Sequence, residues 1–469
     1  MKVQDLTKGS IPNHLLRLAA PLILGNIMQQ LYNTIDAIVI GRYVGKEAFA
    51  AIGLSGSVMN LFLFAIIGAC TGISILFAQQ YGSKDMDSFR SEHFLSLTFG
   101  MLFTTLLGIV GAIMIPTLLS MIQTPDSLRT YASDYLTIIL MGLPAAFLYN
   151  LYSSLLRAVG NTKASLFILL IAIFSNVGLD LLFVTKFQLG ISGAAWATIL
   201  AQILSAIMCI LYMYFFMPHL LFTRNYCNIN TQLLRKTMHL AFVTGLHQSG
   251  LYIGKLFVQG SVNTAGSDMI AAYTATTRIE GFANSFGDSG AVATSIIVAQ
   301  NYGAGKQERS RLCFRESMFL LFIFGSLCSI LMYFTADYTV SWILGSYDGP
   351  AFDSACQYIR TISIFYTLCF MGNAFAGYFD GCGWVSIPFI GAASHITMRI
   401  ILSWLFIHKF GLNAVAVATG IGWIWVNLFW TVIYRRKTAS LKQSVIDTRD
   451  SLTPQSHGED TLSAPNPVA

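Results

Sequence analysis

Charged residues are scarce in this sequence. Only 11% of its 469 residues are Asp, Glu, Lys or Arg, whereas 55% are hydrophobic. A soluble domain carries about 25% charged residues, and so few charges cannot coat a water-facing surface around so much apolar mass. The sequence therefore indicates an integral membrane protein. Its net charge of +6 is scattered over short connections and forms no sustained basic face, so we expect no nucleic-acid partner.

The sequence also lacks the motifs of metal, redox and covalent chemistry. Its eight cysteines include no C-x-x-C pair, which excludes the common zinc and dithiol motifs. We find no nucleophile motif, metal-ligand cluster or phosphate-binding loop, so we expect neither an enzyme nor a bound cofactor. The first apolar segment contains Asn26, Gln30 and Asp36, and it is too polar for a cleaved signal peptide.

Long apolar stretches recur along nearly the whole chain. A membrane-spanning helix needs roughly 20 mostly apolar residues. The pattern predicts an all-α polytopic membrane protein with twelve spans, at residues 14–41, 48–80, 93–120, 128–156, 164–185, 191–217, 235–263, 269–301, 313–344, 352–379, 384–408 and 411–434. With both termini in the cytoplasm, 19 Lys and Arg residues fall in inner segments and 5 in outer connections, and this bias predicts that orientation. The polar residues 441–469 are expected to form a disordered cytoplasmic tail.

The sequence contains an internal repeat. Three pairs of similar segments share one offset of 221 residues: 45–51 with 266–272, 78–82 with 299–303, and 189–198 with 410–419. This offset spans six predicted helices, an even number, so both copies have the same orientation in the membrane. We therefore predict two pseudo-symmetric lobes, an N-lobe at 1–220 and a C-lobe at 221–440. Parallel repeats of this kind build transporters with a central binding site and alternating access.

Several motifs, in this order, resemble one known transporter family. They are Pro21 and Asp36 in helix 1, residues 79–82 after helix 2, 156–161 after helix 4, Asn176 and Asp180 in helix 5, 193–198 in helix 6, and 300–305 after helix 8. With them the chain resembles the multidrug and toxic compound extrusion (MATE) transporters, in the bacterial branch of DinF-like and NorM-like proteins. The resemblance implies a V-shaped fold of two six-helix lobes, and efflux driven by inward flow of Na⁺ or H⁺.

Ionisable residues inside the predicted spans suggest the coupling site, because burying them in a membrane is costly. Asp36 in helix 1 and Asp180 in helix 5 are the acids, and Asn176 lies one turn before Asp180. Two carboxylates brought together in a low dielectric favour binding of a cation or a proton, and amide and hydroxyl oxygens suit Na⁺. By the resemblance, Asp36, Asn176, Asp180 and Thr198 form an N-lobe cation site. The alternative is that each Asp is a hydrogen-bonded carboxylate that only holds helices together.

The C-lobe has no copy of this acidic pair. The offset of 221 relates Asp36 to Phe257 and Asp180 to Ile401, which predicts a single ion site, with Na⁺ at Asp36 and Asp180 as the only possible metal. A substrate cavity is expected near a second polar set: Gln29, Asn33, Asn150, Glu280 and Asp288. For Glu280 and Asp288, with Arg278 nearby, a local charge network for packing is the open alternative.

These observations predict a secondary antiporter of the bacterial inner membrane. It would export amphipathic, often cationic, organic compounds in exchange for Na⁺ or H⁺, by rocker-switch alternating access. Its expected partners are small organic cations or drugs and membrane lipid, and we expect a monomer. The alternative is a flippase for a lipid-linked saccharide, which the basic residues Lys255, Arg278 and Arg399 keep open because such cavities bind phosphates.

Overall fold

The computed structural model of the chain describes residues 5–121 and 124–452; within them, the side chains of residues 33, 34, 36–40, 46–49, 121 and 440–452 lie outside the description. Over the described residues the fold is all-α, without a strand. The α-helices in this part of the chain are α1 Ile11–Tyr43, α2 Lys46–Ser83, α3 Met86–Ile113, α4 Ile115–Met121, α5 Asp126–Met141, α6 Leu143–Ala158, α7 Thr162–Leu181, α8 Gly190–Phe216, α9 Thr231–Asn263, α10 Ser267–Gly303, α11 Gln307–Leu344, α12 Pro350–Ser363, α13 Tyr366–Gly381, α14 Ser386–Phe410 and α15 Leu412–Leu452.

The helices reproduce the twelve predicted spans. Within the described residues, seven helices are long and apolar enough to cross a membrane, and two bent pairs, α5 with α6 and α12 with α13, raise the number to nine. The other long helices, α1, α9 and α10, contain 33, 33 and 37 residues and are more polar. Since roughly 20 residues cross a bilayer, their length is sufficient. The predicted all-α, twelve-helix fold class is confirmed.

Two of the spans are bent, which the sequence did not predict. The predicted span 128–156 divides at Gly142 into α5 and α6, which meet at 46°, and the span 352–379 divides into α12 and α13, which meet at 52°. Pro144 lies in the first turn of α6. Because proline lacks an N–H group, it is tolerated there but would interrupt a continuous helix.

The helix boundaries follow the repeat. Helix α2 begins at Lys46 and α10 at Ser267, while α3 begins at Met86 and α11 at Gln307. Each pair is 221 residues apart, and the two bent spans occupy matching places. The two copies are therefore parallel six-helix bundles, as the sequence predicted.

The two copies of the repeated segment 78–82 meet where α2 and α10 end. The side-chain amide of Gln79 donates a hydrogen bond to the carbonyl oxygen of Gly381 over 3.0 Å. The amide of Gln300, its repeat mate, donates to the carbonyl oxygen of Ala158 over 2.7 Å. Each glutamine thus reaches from its own lobe to the end of the bent span in the other lobe.

Two glycines allow the helix backbones to approach at this point. A Cβ atom at Gly82 would collide with the carbonyl oxygen of Gln300, and one at Gly303 would collide with that of Gln79. Any larger residue would therefore push α2 and α10 apart. We name Gln79, Gly82, Gln300 and Gly303 the clasp, and the end of the bundle on which they lie the clasp face.

The C-terminal residues differ from the expected disordered tail. The chain divides into a compact unit Met1–Asn427 and a second unit Leu428–Ala469. Helix α15 continues to Leu452, although the tail was expected to lose structure from 441. Residues 439–443 are Ala, Ser, Leu, Lys and Gln, of which four are good helix formers. The rest of the predicted tail, 453–469, lies outside the described residues.

Candidate cation and substrate site

Helix α7 carries the two described polar residues of the predicted cation site. The helix begins after Asn161, whose side chain accepts a hydrogen bond from Ala164 N over 3.2 Å, a favoured N-cap arrangement. Its residues are otherwise mostly apolar. Near its far end Asn176 and Asp180 are 3% and 1% exposed. Because they are four residues apart, they lie on one face of the helix.

The backbone changes geometry directly after Asp180. A π-helical turn, Leu182–Lys186, follows α7. Such turns are rare and often mark functional sites, because the wider ring shifts the side chains around it. Nothing in the apolar sequence 181–185 predicted this turn.

Asn176 has unused hydrogen-bonding capacity. Among the described residues, neither its side-chain nitrogen nor its oxygen has a hydrogen-bond partner. Leaving a buried amide unsatisfied costs about 1–3 kcal/mol, so the position favours a ligand. An amide oxygen is a suitable donor for Na⁺ or for a water molecule.

Thr198 and Asp36 come from two helices, α8 and α1, that pack against α7. Thr198 on α8 is half-buried, and its hydroxyl donates to the carbonyl oxygen of Ala194 in its own helix over 3.1 Å. The oxygen can still accept or ligate. Helix α1 approaches α7 closely at Gly25, where a Cβ would lie 3.2 Å from Leu169. The side chain of Asp36 itself lies outside the described residues.

The predicted substrate residues of α10 share one helix face. Glu280, Asn284 and Asp288 are spaced by four residues and therefore follow one another along the helix. The hydroxyl of Tyr366, from α13, donates to the Asn284 side-chain oxygen over 3.1 Å. Helix α10 thus presents two carboxyl groups along a polar line that the bent span of the C-lobe contacts.

The charges that surround Glu280 bear on the open alternative of a local charge network near Arg278. Arg278 is exposed, and the cations that act electrostatically on Glu280 are Arg399 and Lys255. Arg399 on α14 also donates to the Tyr273 hydroxyl over 3.3 Å. The Tyr358 hydroxyl also interacts with the Glu280 carboxyl group, so Glu280 lies in a polar cluster with Tyr358 and Arg399. The sequence missed Arg399 as a partner because it lies more than 100 residues away in the chain.

The remaining predicted cavity residues lie on α1 and α6. Gln29 is half-buried on α1, and the same helix contacts α10 through a hydrogen bond of 3.1 Å from the Asn26 amide to the Ser289 hydroxyl. The Asn150 amide donates to the carbonyl oxygen of Ala146 in its own helix over 2.8 Å. The side chain of Asn33 lies outside the described residues. The cavity role of these residues stays a prediction.

The described residues contain no group of three or more His, Cys, Asp or Glu that could hold a metal ion. The polar groups of the N-lobe set are instead one carboxyl, one amide and one hydroxyl from neighbouring helices, which suits a weakly held hard cation or a proton better than a tightly bound transition metal.

Comparison with known proteins agrees with this architecture. A polytopic bundle with two parallel repeats and polar residues inside its spans is typical of a secondary transporter. The MatE family model matches residues 21–182 and 241–405, which is more than half of the chain. The chain therefore belongs to the MatE family and is a MATE family transporter.

Individual relatives cover most of the chain. It is 24% identical over 442 residues to "Probable multidrug resistance protein YpnP" of Bacillus subtilis, covering 93% of this chain and 97% of the relative. It is 27% identical over 348 residues to "Probable multidrug resistance protein YoeA" of the same organism, covering 73% and 75%. The "FAD transporter" of Shewanella oneidensis is 23% identical over 342 residues, covering 71% and 74%.

The fold is similar to that of solved MATE structures. An outward-facing multidrug resistance MATE family transporter of the MOP superfamily superposes with a TM-score of 0.84 at 21% identity, over 94% of this chain and 99% of that one. At this identity the likeness establishes the fold.

Proposed function

We propose that this protein is a cation-coupled exporter of amphipathic, often cationic, organic compounds. The proposal is carried by the buried pair Asn176 and Asp180, which places inside a membrane-spanning helix a carboxyl group and an amide that has no partner among the described residues. Groups of this kind in a membrane are retained for function. Support for the substrate class comes from the relatives that are named multidrug resistance proteins.

The coupling ion is Na⁺ or H⁺, bound by Asp36, Asn176, Asp180 and Thr198. Helices α1 and α8, which carry Asp36 and Thr198, pack against α7, so all four residues come from one helix cluster of the N-lobe. Uptake of the ion neutralises the buried carboxyl charge and changes how these helices pack. Alternating access then couples ion entry to drug release, with Gln29, Asn33, Asn150, Glu280 and Asp288 lining the path.

The setting of the protein follows from its charge distribution. We infer a bacterial inner-membrane location, with both termini and the clasp face in the cytoplasm. We further propose an N-lobe at 1–220, a C-lobe at 221–440, a cytoplasmic tail at 441–469, and a monomer as the working unit.

A flippase or an exporter of phosphate-bearing molecules is the second candidate. Arg399 and Lys255 act on the carboxyl line of α10, and such cations bind phosphates. One relative is named an FAD transporter, and FAD carries two phosphate groups.

Efflux from reconstituted vesicles tests these proposals. Purified protein is placed in liposomes, a fluorescent organic cation or FAD is enclosed, and Na⁺ and H⁺ gradients are applied separately. We expect the organic cation to move under one of the two gradients. Movement of FAD but not of the cation would replace the first candidate by the second, and movement of neither under either gradient would contradict both.

A further inference from the structure

Residues 5–9, which precede α1, cross to the other lobe. We name them the strap. The Leu6 side chain is 0% exposed, and both of its backbone polar groups bind side chains of α10. Leu6 N donates to Gln300 Oε1 over 3.4 Å, and the Asn301 amide donates to the Leu6 carbonyl oxygen over 3.2 Å.

Two cations hold the rest of the strap to the beginning of α11. Lys306 Nζ donates to the Thr7 carbonyl oxygen over 2.9 Å and to the Thr7 hydroxyl over 3.1 Å. Arg309 Nη2 donates to the Gly9 carbonyl oxygen over 2.8 Å. Charge-assisted hydrogen bonds are stronger than neutral ones, so these contacts fix the strap against the C-lobe.

The strap therefore belongs to the N-lobe by chain connection and to the C-lobe by contact. Gln300 belongs to the clasp and also binds the strap. Its side-chain oxygen accepts from Leu6 N, while its side-chain nitrogen donates to the carbonyl oxygen of Ala158 in the N-lobe. Separating the lobes at the clasp face breaks the Gln300–Ala158 bond and pulls the strap from its seat.

The segment that connects the two lobes, between α8 and α9, is bound by side chains of the N-lobe. Arg90 on α3 donates to the His219 carbonyl oxygen over 3.1 Å and 3.0 Å, and His93 contacts the Leu220 carbonyl oxygen over 3.3 Å. This segment precedes α9 of the C-lobe but binds the N-lobe. It is continuous with helices of both lobes, whereas the strap is held to the C-lobe by noncovalent contacts alone.

We propose that the strap is a releasable lock: seated under Gln300 and Asn301, it holds the clasp face closed, and its release is required for that face to open. The proposal rests on the alternating access inferred above. It assigns a conformational role to Leu6, Lys306 and Arg309, none of which touches the candidate cation or substrate sites.

Native cysteines report both events. Cys313 is 0% exposed and contacts the Asn301 amide at 3.9 Å, the same amide that holds Leu6, so we expect it to become accessible when the strap leaves. Cys382 is 4% exposed and directly follows Gly381, the acceptor of the Gln79 bond, so it reports opening of the clasp. Cys209, 0% exposed within α8, reports unfolding, and the exposed Cys227 sets the reference rate.

The test is alkylation of the full-length protein in detergent by N-ethylmaleimide, followed by peptide mass spectrometry, without substrate or ion gradient. Leu6→Ala removes the buried side chain, and Lys306→Gln removes the charge that holds Thr7. We expect each to raise the labelling rates of Cys313 and Cys382 by about tenfold or more, with Cys209 unchanged. The matched controls Leu16→Ala and Lys163→Gln alter an exposed leucine and an exposed lysine and should leave all rates at the parent values.

Three results overturn the proposal. One is faster labelling of Cys313 without Cys382, since the strap would then cover α11 without locking the clasp. Another is unchanged labelling of both. The third is labelling of Cys209 in parallel in both variants, which would make the segment an inseparable part of the fold. Because no transport is measured, a failure here is distinct from a failure of the efflux assay.

Discussion

Asp180 is 1% exposed near the end of an apolar helix, where an amide would be easier to bury than a carboxylate. Asp180→Asn keeps the size of the side chain and removes its charge. We expect loss of gradient-driven efflux, with expression and thermal stability retained, and with drug binding weakened and no longer responsive to Na⁺ or pH. Asp36→Asn should behave in the same way, because two interacting acids titrate as one unit.

The control for this pair is Asp134→Asn, which changes an exposed aspartate of α5. The repeat mates Phe257 and Ile401 are 55% and 52% exposed and should tolerate other apolar residues. Drug affinity is measured against pH and Na⁺ for each variant. A parent-like ion response in both Asp36→Asn and Asp180→Asn would move the coupling site elsewhere, with Glu280 and Asp288 the next candidates.

Glu280 offers a second residue-scale prediction, which depends on its electrostatic partner. A double-mutant cycle with Glu280→Gln and Arg399→Gln should give a coupling energy of about 0.5–3 kcal/mol in thermal stability, because removing either charge leaves the other half-buried without its electrostatic partner. The same cycle with Arg278→Gln should give a value near zero, since Arg278 is exposed. Equal coupling to both arginines would instead favour the alternative of a local charge network that includes Arg278.

The sequence identified these residues to different degrees. Asp180 and Asn176 were recognisable because polar side chains stand out in an apolar helix, and the structure places them on one buried face. Arg399 was not assigned to Glu280, because tertiary contacts between distant helices leave no local signal. Leu6 was not singled out either, since a single leucine in a polar stretch gives no sign of burial.

At the scale of the elements, helices were predicted well and bends were not. Hydrophobic length determined each span, whereas the breaks at Gly142 and before Tyr366 depend on how the half-helices pack. The repeat offset related segment 78–82 to 299–303 as similar sequences. That the two copies touch each other could not be read from similarity, because internal symmetry does not specify which surfaces meet.

The clasp gives a prediction at this scale. Gly82→Ala adds a Cβ that would overlap the backbone carbonyl of Gln300, which cannot move aside as a flexible side chain could. Overpacking of this kind costs about 1–3 kcal/mol. We therefore expect a lower melting temperature and faster alkylation of Cys382. Gly303→Ala should do the same by symmetry.

The matched control for the clasp is Gly53→Ala in the same helix, α2. A Cβ there meets no atom within 4 Å, and replacing glycine in a helix favours folding by roughly 0.5–1 kcal/mol. Its melting temperature should stay equal or rise. If Gly82→Ala also matched the parent in both measurements, the close approach of α2 and α10 would not matter to closure.

At the scale of the whole molecule, the stability of the seated strap depends on pH. This dependence can be separated from the pH dependence of ion-coupled transport. Asp5 accepts hydrogen bonds from Thr7 N over 3.0 Å and from the Thr7 hydroxyl over 2.7 Å, and these bonds lower the pKa of the Asp5 carboxyl below its usual range. A lowered pKa means that ionised Asp5 stabilises the Asp5–Thr7 turn of the seated strap at pH values above the ordinary aspartate pKa near 3.9. This contribution is lost only as the pH falls through the lowered pKa.

Asp5→Asn should therefore raise Cys313 labelling by a factor that is constant from about pH 5 to pH 8 and that approaches one in stronger acid. The comparison uses the ratio of variant to parent at each pH, so that the effects of the nearby Lys8 and Lys306, which both proteins share, cancel. Drug binding that responds to pH between 5 and 8 should keep that response in Asp5→Asn and lose it in Asp180→Asn. If Asp5→Asn removed it instead, proton sensing would reside in the strap rather than in the membrane-embedded acids, and the N-lobe site would be left with Na⁺ as its ion.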